Sequence, residues 1–304
     1  MKSQGNVTSR RSIATVAGLV LSWLVTPMPA VAQNAYITNQ GISPNFSNNV
    51  TVIDTATNKV VTAIEVGLAP SGVAVAPDGG KVYVANEAVK GTLSVLDTAT
   101  NAVSATIDIG NNPVGVAVKP DGRKVYVTND AVDGTVSVID TATNAVTAMV
   151  AVGSHPVGVA VTPDGSKVYV ANRGSRTVSV IATATNAVVA TIEVGLAPFG
   201  VAVTPDGGTV YVTNLNNTVS AIATATNAVS ATISVGNGPV GVAVTPDGSK
   251  AYVANQFDHT VSVIATATNT VAATISVGTS PIAFGIFIRP RFSETPRSTN
   301  PSRH

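Results

Sequence analysis

The residues able to do chemistry in this 304-residue chain are few: three histidines (His155, His259 and His304), 16 acidic residues and no cysteine. Without cysteine, thiol nucleophiles, thiolate metal sites and disulfide frameworks are excluded together. Six segments read Gly-x-x-Pro, and their variable pairs are Leu68-Ala69, Asn111-Asn112, Ser154-His155, Leu196-Ala197, Asn237-Gly238 and Thr279-Ser280. Asn111, Asn112, Ser154, His155, Asn237 and Ser280 offer amides, hydroxyls and one imidazole, a set suited to holding a polar ligand. None of the pairs contains a carboxylate, so neither a metal cage nor a His–acid pair is expected there. No catalytic residue, metal site or cofactor is therefore assigned, and no phosphate-cradling loop, Ser-His-Asp order or zinc-ligand spacing occurs.

A second set of variable segments, 40–49, 87–92, 130–135, 173–177, 215–218 and 256–260, supplies Phe46, Asp130 and a candidate partner-binding rim of Glu87, Lys90, Asp133, Arg173, Arg176, Phe257, Asp258 and His259. Asp54, Asp97 and Asp140 precede Thr-Ala-Thr-Asn segments, whereas Ala182, Ala223 and Ala265 stand at the corresponding later positions. A carboxylate that half the copies dispense with reads as a local turn acceptor rather than a metal ligand.

What positions these segments is a repeat. Tyr36, Tyr83, Tyr126, Tyr169, Tyr211 and Tyr252 are spaced by 47, 43, 43, 42 and 41 residues, and each opens a Tyr-(Val/Ile)-(Thr/Ala)-Asn motif. One period contains four β-branched runs, Gly158-Val-Ala-Val161, Lys167-Val-Tyr-Val170, Thr177-Val-Ser-Val-Ile181 and Ala187-Val-Val-Ala-Thr-Ile192. Pro163-Asp164-Gly165 separates the first two runs and Thr183-Ala184-Thr185-Asn186 the last two, both sequences with turn chemistry. The runs are apolar at successive positions, so the sheets must be covered on both faces. Four-stranded sheets of about 40 residues that cover one another are propeller blades; a β-helix or open stack normally uses shorter repeats and leaves ends to cap. Three strands precede the first complete repeat, five repeats follow, and a lone run remains at 283–288. The expectation is an all-β, six-bladed propeller whose C-terminal strand completes the first blade and removes the open edges of the ring.

The Tyr-Val-(Thr/Ala)-Asn motifs, the Pro-Asp-Gly turns at Pro77, Pro120, Pro163, Pro205 and Pro246, and the Thr-Ala-Thr-Asn turns ending at Asn58, Asn101, Asn144, Asn186, Asn227 and Asn269 carry a resemblance. On them, the chain from about 35 to 288 resembles the bacterial and archaeal YVTN-repeat β-propellers. It lacks the Trp-Asp endings of WD40 blades, and its one tryptophan, Trp23, precedes the repeats. The resemblance implies an exported or surface-associated propeller, related in fold to lactonase-like and virginiamycin-lyase-like propellers and to quinoprotein subunits; a fold alone gives no chemistry.

In such blades the Pro-Asp-Gly and Thr-Ala-Thr-Asn turns share one face of the disc. The Gly-x-x-Pro segments and the second variable set share the other, with the former around the mouth of the central channel. The mouth pairs run apolar, Asn-containing, hydroxyl-containing and then again, a three-blade period that sets Leu68 opposite Leu196.

Residues 1–32 read as a secretory signal: Lys2, Arg10 and Arg11, an apolar run from Ile13 to Val25, and Ala30-Val31-Ala32 before Gln33. Pro27 and Pro29 interrupt the run, which falls short of the roughly 20 residues of a membrane span. The body, 33–288, holds 10 basic and 15 acidic residues, which argues against nucleic acid as a partner. The basic, Pro-rich segment 289–304 reads as a solvated tail. The expected protein is exported, to the periplasm, cell surface or medium, and is a noncatalytic scaffold for a protein or small-molecule partner. The alternative is a lactonase- or lyase-like enzyme acting at the channel mouth.

Overall fold

The computed structural model describes residues 34–42, 45–88 and 90–282. The expected signal (1–32), closing strand (283–288) and tail (289–304) lie outside the described residues. Blade 1 consists of β1 (Asn34–Ile42), β2 (Asn45–Asp54) and β3 (Lys59–Glu65). Blade 2 holds β4 (Pro70–Val75), β5 (Lys81–Asn86), β6 (Thr92–Asp97) and β7 (Ala102–Asp108); blade 3 holds β8 (Pro113–Val118), β9 (Lys124–Asn129), β10 (Thr135–Asp140) and β11 (Ala145–Ala151). Blade 4 holds β12 (Pro156–Val161), β13 (Lys167–Asn172), β14 (Thr177–Ala182) and β15 (Ala187–Glu193); blade 5 holds β16 (Pro198–Val203), β17 (Thr209–Asn214), β18 (Thr218–Ala223) and β19 (Ala228–Ser234). Blade 6 holds β20 (Pro239–Val244), β21 (Lys250–Asn255), β22 (Thr260–Ala265) and β23 (Thr270–Ser276). Every blade is an antiparallel meander in chain order, so the fold is a six-bladed β-propeller.

The Thr-Ala-Thr-Asn turns close as their composition requires: Asn58, Asn101, Asn144, Asn186, Asn227 and Asn269 all take φ between 50° and 55°, a left-handed backbone that Asn tolerates. One expected loop is instead strand. Residues 40–42 and 45–49 extend β1 and β2 as a paired ladder, because Gly41 (φ 75°) absorbs a bulge after Asn39 and lets the pairing run on.

Burial grades outward across a blade. The second strands of blades 2 to 5, such as Lys167–Asn172, are buried at five successive positions, and Tyr83, Tyr126, Tyr169 and Tyr211 are at most 1% exposed. The fourth strands of blades 2 to 5 are mostly solvated and bury one side chain each, for example Ile107 or Ile192. Five apolar clusters result, each joining one blade to the next, from blades 1 and 2 through to blades 5 and 6. The tyrosines add a polar tie: the Tyr169 and Tyr211 hydroxyls donate to Asn227 and Asn269 of the following blade at 2.9 and 2.7 Å. At the junction of blades 6 and 1, the described residues leave Ile275 45% exposed, although its counterparts Ile64, Ile107, Val150, Ile192 and Ile233 are 5–7% exposed.

The inner strands approach one another closely enough to require glycine. A Cβ on Gly72, Gly115 or Gly158 would lie 2.1–2.2 Å from a backbone oxygen of the next blade's inner strand. The third motif position decides a further tie. Thr38, Thr128 and Thr213 donate to the carbonyls of Ser71, Val157 and Val240 in the next blade, whereas Ala85, Ala171 and Ala254 have nothing to donate. This buried column therefore alternates with a period of two, against the period of three at the mouth, where Leu68 and Leu196 enter blades three apart.

Candidate functional site

The repeat builds a ring of six side chains around the channel mouth. On each motif strand, the asparagine bonds across its own hairpin to the next strand outward. Asn86 Nδ2, for example, donates to Thr92 Oγ1 and Ser94 Oγ, and Asn129 and Asn172 do the same in their blades. The residue after each asparagine lies on the variable face, just past the strand end at Glu87, Asp130, Arg173, Leu215 and Gln256 and within the extended β1 at Gln40. From blade 2 onward its amide is pinned to the carbonyl of the second residue of the Gly-x-x-Pro pair, as in Asp130 N to Asn112 O and Arg173 N to His155 O, both 2.9 Å. That second residue is left-handed every time, at Ala69, Asn112, His155, Ala197, Gly238 and Ser280. The variable pairs are thus tight turns first, and their side chains are carried on a fixed frame.

Within this ring, one arc from blade 1 to blade 4 is continuously polar. Gln40 Nε2 donates to Glu87 Oε2 at 2.6 Å. His155 Nδ1 lies 2.7 Å from Asp130 Oδ1, and the Arg173 guanidinium donates to Asp130 Oδ2 at 3.3 Å. Burial, and then the neighbouring charge of Asp130, push the Glu87 carboxyl above its ordinary range, while the Gln40 bond and Arg173 pull the other way. Gly174 makes room for the imidazole: a Cβ there would lie 2.4 Å from Ser154 Oγ and 2.8 Å from His155 Cδ2. A carboxylate oxygen can only accept, so Nδ1 is the donor in this bond, and in the neutral ring the lone pair then lies on Nε2.

This overturns the expectation of a mouth without carboxylates or a His–acid pair. His155 is paired, and the acid comes from the neighbouring blade, 25 positions earlier in the chain. Sequence reasoning placed Asp130 in a variable loop and assigned it no role; Gln40, Gly174 and Ser175 were also missed. A signal was present in the column that follows the motif asparagine, since it varies on an otherwise repeated frame.

The remaining candidates are distributed as follows. Ser154 is held in its turn by Ser175, whose Oγ accepts the Ser154 amide at 2.6 Å. Asp258 accepts the Asn237 amide at 2.6 Å and His259 Nδ1 accepts the Ser280 amide at 2.9 Å, so these two side chains brace the turn that enters blade 6 and the turn that follows its last strand. Phe257 lies against Gly238, where a Cβ would meet its ring at 2.4 Å, and remains 63% exposed. Asn111, Asn112, Lys90, Asp133 and Arg176 are exposed on the same face. The structure brings Glu87, His155 and Arg173 into one network around Asp130; it does not bring Asn237, Ser280 or the blade 6 residues to it.

Below the mouth the channel is narrow and apolar. Its cavity of about 60 Å³ is lined by valines including Val73, Val116, Val159 and Val201, with Ser71 the one hydroxyl-bearing residue among the described residues. Such a space admits a few waters and no larger ligand. On the opposite face the carboxylates are turn acceptors, as expected: Asp54 Oδ1 takes the amides of Ala56 and Thr57, and Asp97 and Asp140 repeat the pattern. Those bonds, led by the backbone amides of Thr57, Thr100 and Thr143, hold all three carboxyls below their ordinary range. Among the described residues, no three His, Asp or Glu side chains gather closely enough to hold a metal ion.

Fold and repeat together define the class: a six-bladed β-propeller with a Tyr-(Val/Ile)-(Thr/Ala)-Asn motif in each blade. Comparison with known proteins agrees. Residues 120–216 match the family described as YNCE-like beta-propeller. A solved structure, "Kuenenia stuttgartiensis Hydrazine Synthase", superposes with a TM-score of 0.73 over 82% of this chain and 84% of that one at 24% sequence identity, a likeness of fold. No curated protein sequence matches.

Proposed function

We propose that this chain is an exported propeller scaffold that binds a protein or small-molecule partner through its variable face, at the polar arc of the channel mouth. The observation that carries the reading is the arc itself. Gln40, Glu87, Asp130 and Arg173 occupy one repeated backbone position with four different side chains, while the opposite face repeats its turns nearly unchanged. Exposed apolar tips on the same face, Phe46, Leu68, Val132, Leu196 and Phe257, add the kind of surface that partners bury. The signal-like N-terminal sequence supports export.

The test is capture from cell-envelope extract with the mature chain, 33–304, against two variants. Replacing Glu87, Asp130 and Arg173 by alanine is expected to abolish capture; replacing exposed residues of the Thr-Ala-Thr-Asn turns is expected to leave it intact. Equal capture by all three proteins would refute the reading. A second reading, a hydrolase acting at the mouth, is favoured by the Asp130–His155 bond.

A further inference from the structure

We propose that Asp130 and His155 form a metal-free acid–base pair that hydrolyses small carboxylic esters at the channel mouth. The inference deepens the hydrolase reading and does not require the scaffold reading. Four features carry it. The 2.7 Å bond from Nδ1 to Asp130 fixes the tautomer whose Nε2 is basic. The His155 side chain keeps 39% of its surface open, whereas Asp130 keeps only 17%, so the base is accessible and its orienting carboxylate is sheltered. Arg173 holds the second carboxylate oxygen and, at 41% exposure, retains further guanidinium N–H groups to polarise an acyl oxygen. Gly174 leaves the space in which the ring sits, with the Ser154 hydroxyl beside it.

A clasp between blades 3 and 4 needs only the Arg173–Asp130 pair; the imidazole adds a base to it. Esters fit because a single imidazole with one flexible cation beside it can expel an alcohol, but offers little toward an amide leaving group. In the step, His155 Nε2 takes a proton from water as the water oxygen adds to the acyl carbon. The carbon–oxygen bond to the alcohol then breaks, and the departing alkoxide takes the proton back from His155. The products are the carboxylic acid and the alcohol, with no oxidant, reductant or metal consumed. Asp130 acts as a positioning residue, through His155.

The experiment follows release of p-nitrophenolate from p-nitrophenyl acetate by residues 33–304, with and without a chelator, and reads the His155 ring nitrogens by 15N NMR. The expected result is hydrolysis that resists chelation and falls about 100-fold in His155→Gln. Asp130→Asn is expected to cost a similar factor while moving the ring proton from Nδ1 to Nε2, a change that a merely structural role would not produce. An unchanged rate in His155→Gln, or a wild-type proton on Nε2, would overturn the proposal. Because envelope capture needs no ester chemistry, its outcome separates failure of this proposal from failure of the scaffold reading.

Discussion

Thr128 sits two residues before Asp130 and its partner Val157 two residues after His155, so this one hydroxyl registers the strands that carry the mouth pair. Its Oγ1 accepts the Gly115 amide at 2.8 Å and donates to the Val157 carbonyl at 2.8 Å, with the residue wholly buried. Thr128→Val keeps the shape and removes both bonds, stranding a buried donor and a buried acceptor. At about 1–3 kcal/mol for each unsatisfied group, and with some return from the added methyl, the expected cost is roughly 2–4 kcal/mol. For a domain of this size that corresponds to a fall in Tm of roughly 5–10 °C. Thr213 is the internal comparison: it accepts Gly200 N at 2.8 Å but donates to Val240 O only at 3.4 Å, so Thr213→Val should cost clearly less. Urea unfolding followed by circular dichroism measures both. A cost below about 0.5 kcal/mol for Thr128→Val, or an equal cost at Thr213, would refute the account of how blades are tied. The His155 15N signals should also broaden or shift in Thr128→Val, since the strands carrying Asp130 and His155 lose their common register.

Three further outcomes follow from the same geometry. Glu87→Gln should raise Tm at neutral pH: the folded state lifts this carboxyl above its ordinary value of 4.5, so its ionised form opposes folding once the pH exceeds that value, and the advantage should vanish in acid where both side chains are neutral. Asp164 shows the opposite sign, since bonds led by the Thr162 hydroxyl hold its pKa at about 2 against 3.8. Its contribution to stability is present above 3.8 and lost as pH falls toward 2, so Asp164→Asn should lower Tm at pH 7 and not at pH 2. Gly115→Ala places a Cβ 2.2 Å from the Val157 backbone oxygen, and the cost in urea unfolding should be about 3 kcal/mol or more, because backbone cannot rotate away.

Much of the fold was legible in the sequence because every blade needs the same local solutions. Tyr fills the space between blades, Asn closes the hairpin or takes a left-handed turn, and Gly lets inner strands approach. The pairing of residues 40–42 with 45–49 was not legible, since a bulge at Gly41 that lengthens a ladder looks like any polar loop until the pairing is seen. The Asp130–His155 bond was hidden for a different reason. Its partners belong to different loop sets on different blades, and only the curvature of the ring brings one blade's second-strand exit against the next blade's entry turn. The pairs that looked most like ligand positions, Asn111-Asn112 and Asn237-Gly238, owe part of their composition to a backbone that must be left-handed at the second position.

The central claim is that the propeller works through the face bearing Asp130, His155 and Arg173. Hydrogen exchange of residues 33–304, measured by mass spectrometry with and without the captured envelope component, tests it most directly. The account predicts slowed exchange in segments 87–92, 130–135, 153–156 and 173–177, with the Pro-Asp-Gly and Thr-Ala-Thr-Asn turns unchanged. Protection confined to those turns, with the mouth segments unaffected, would contradict it.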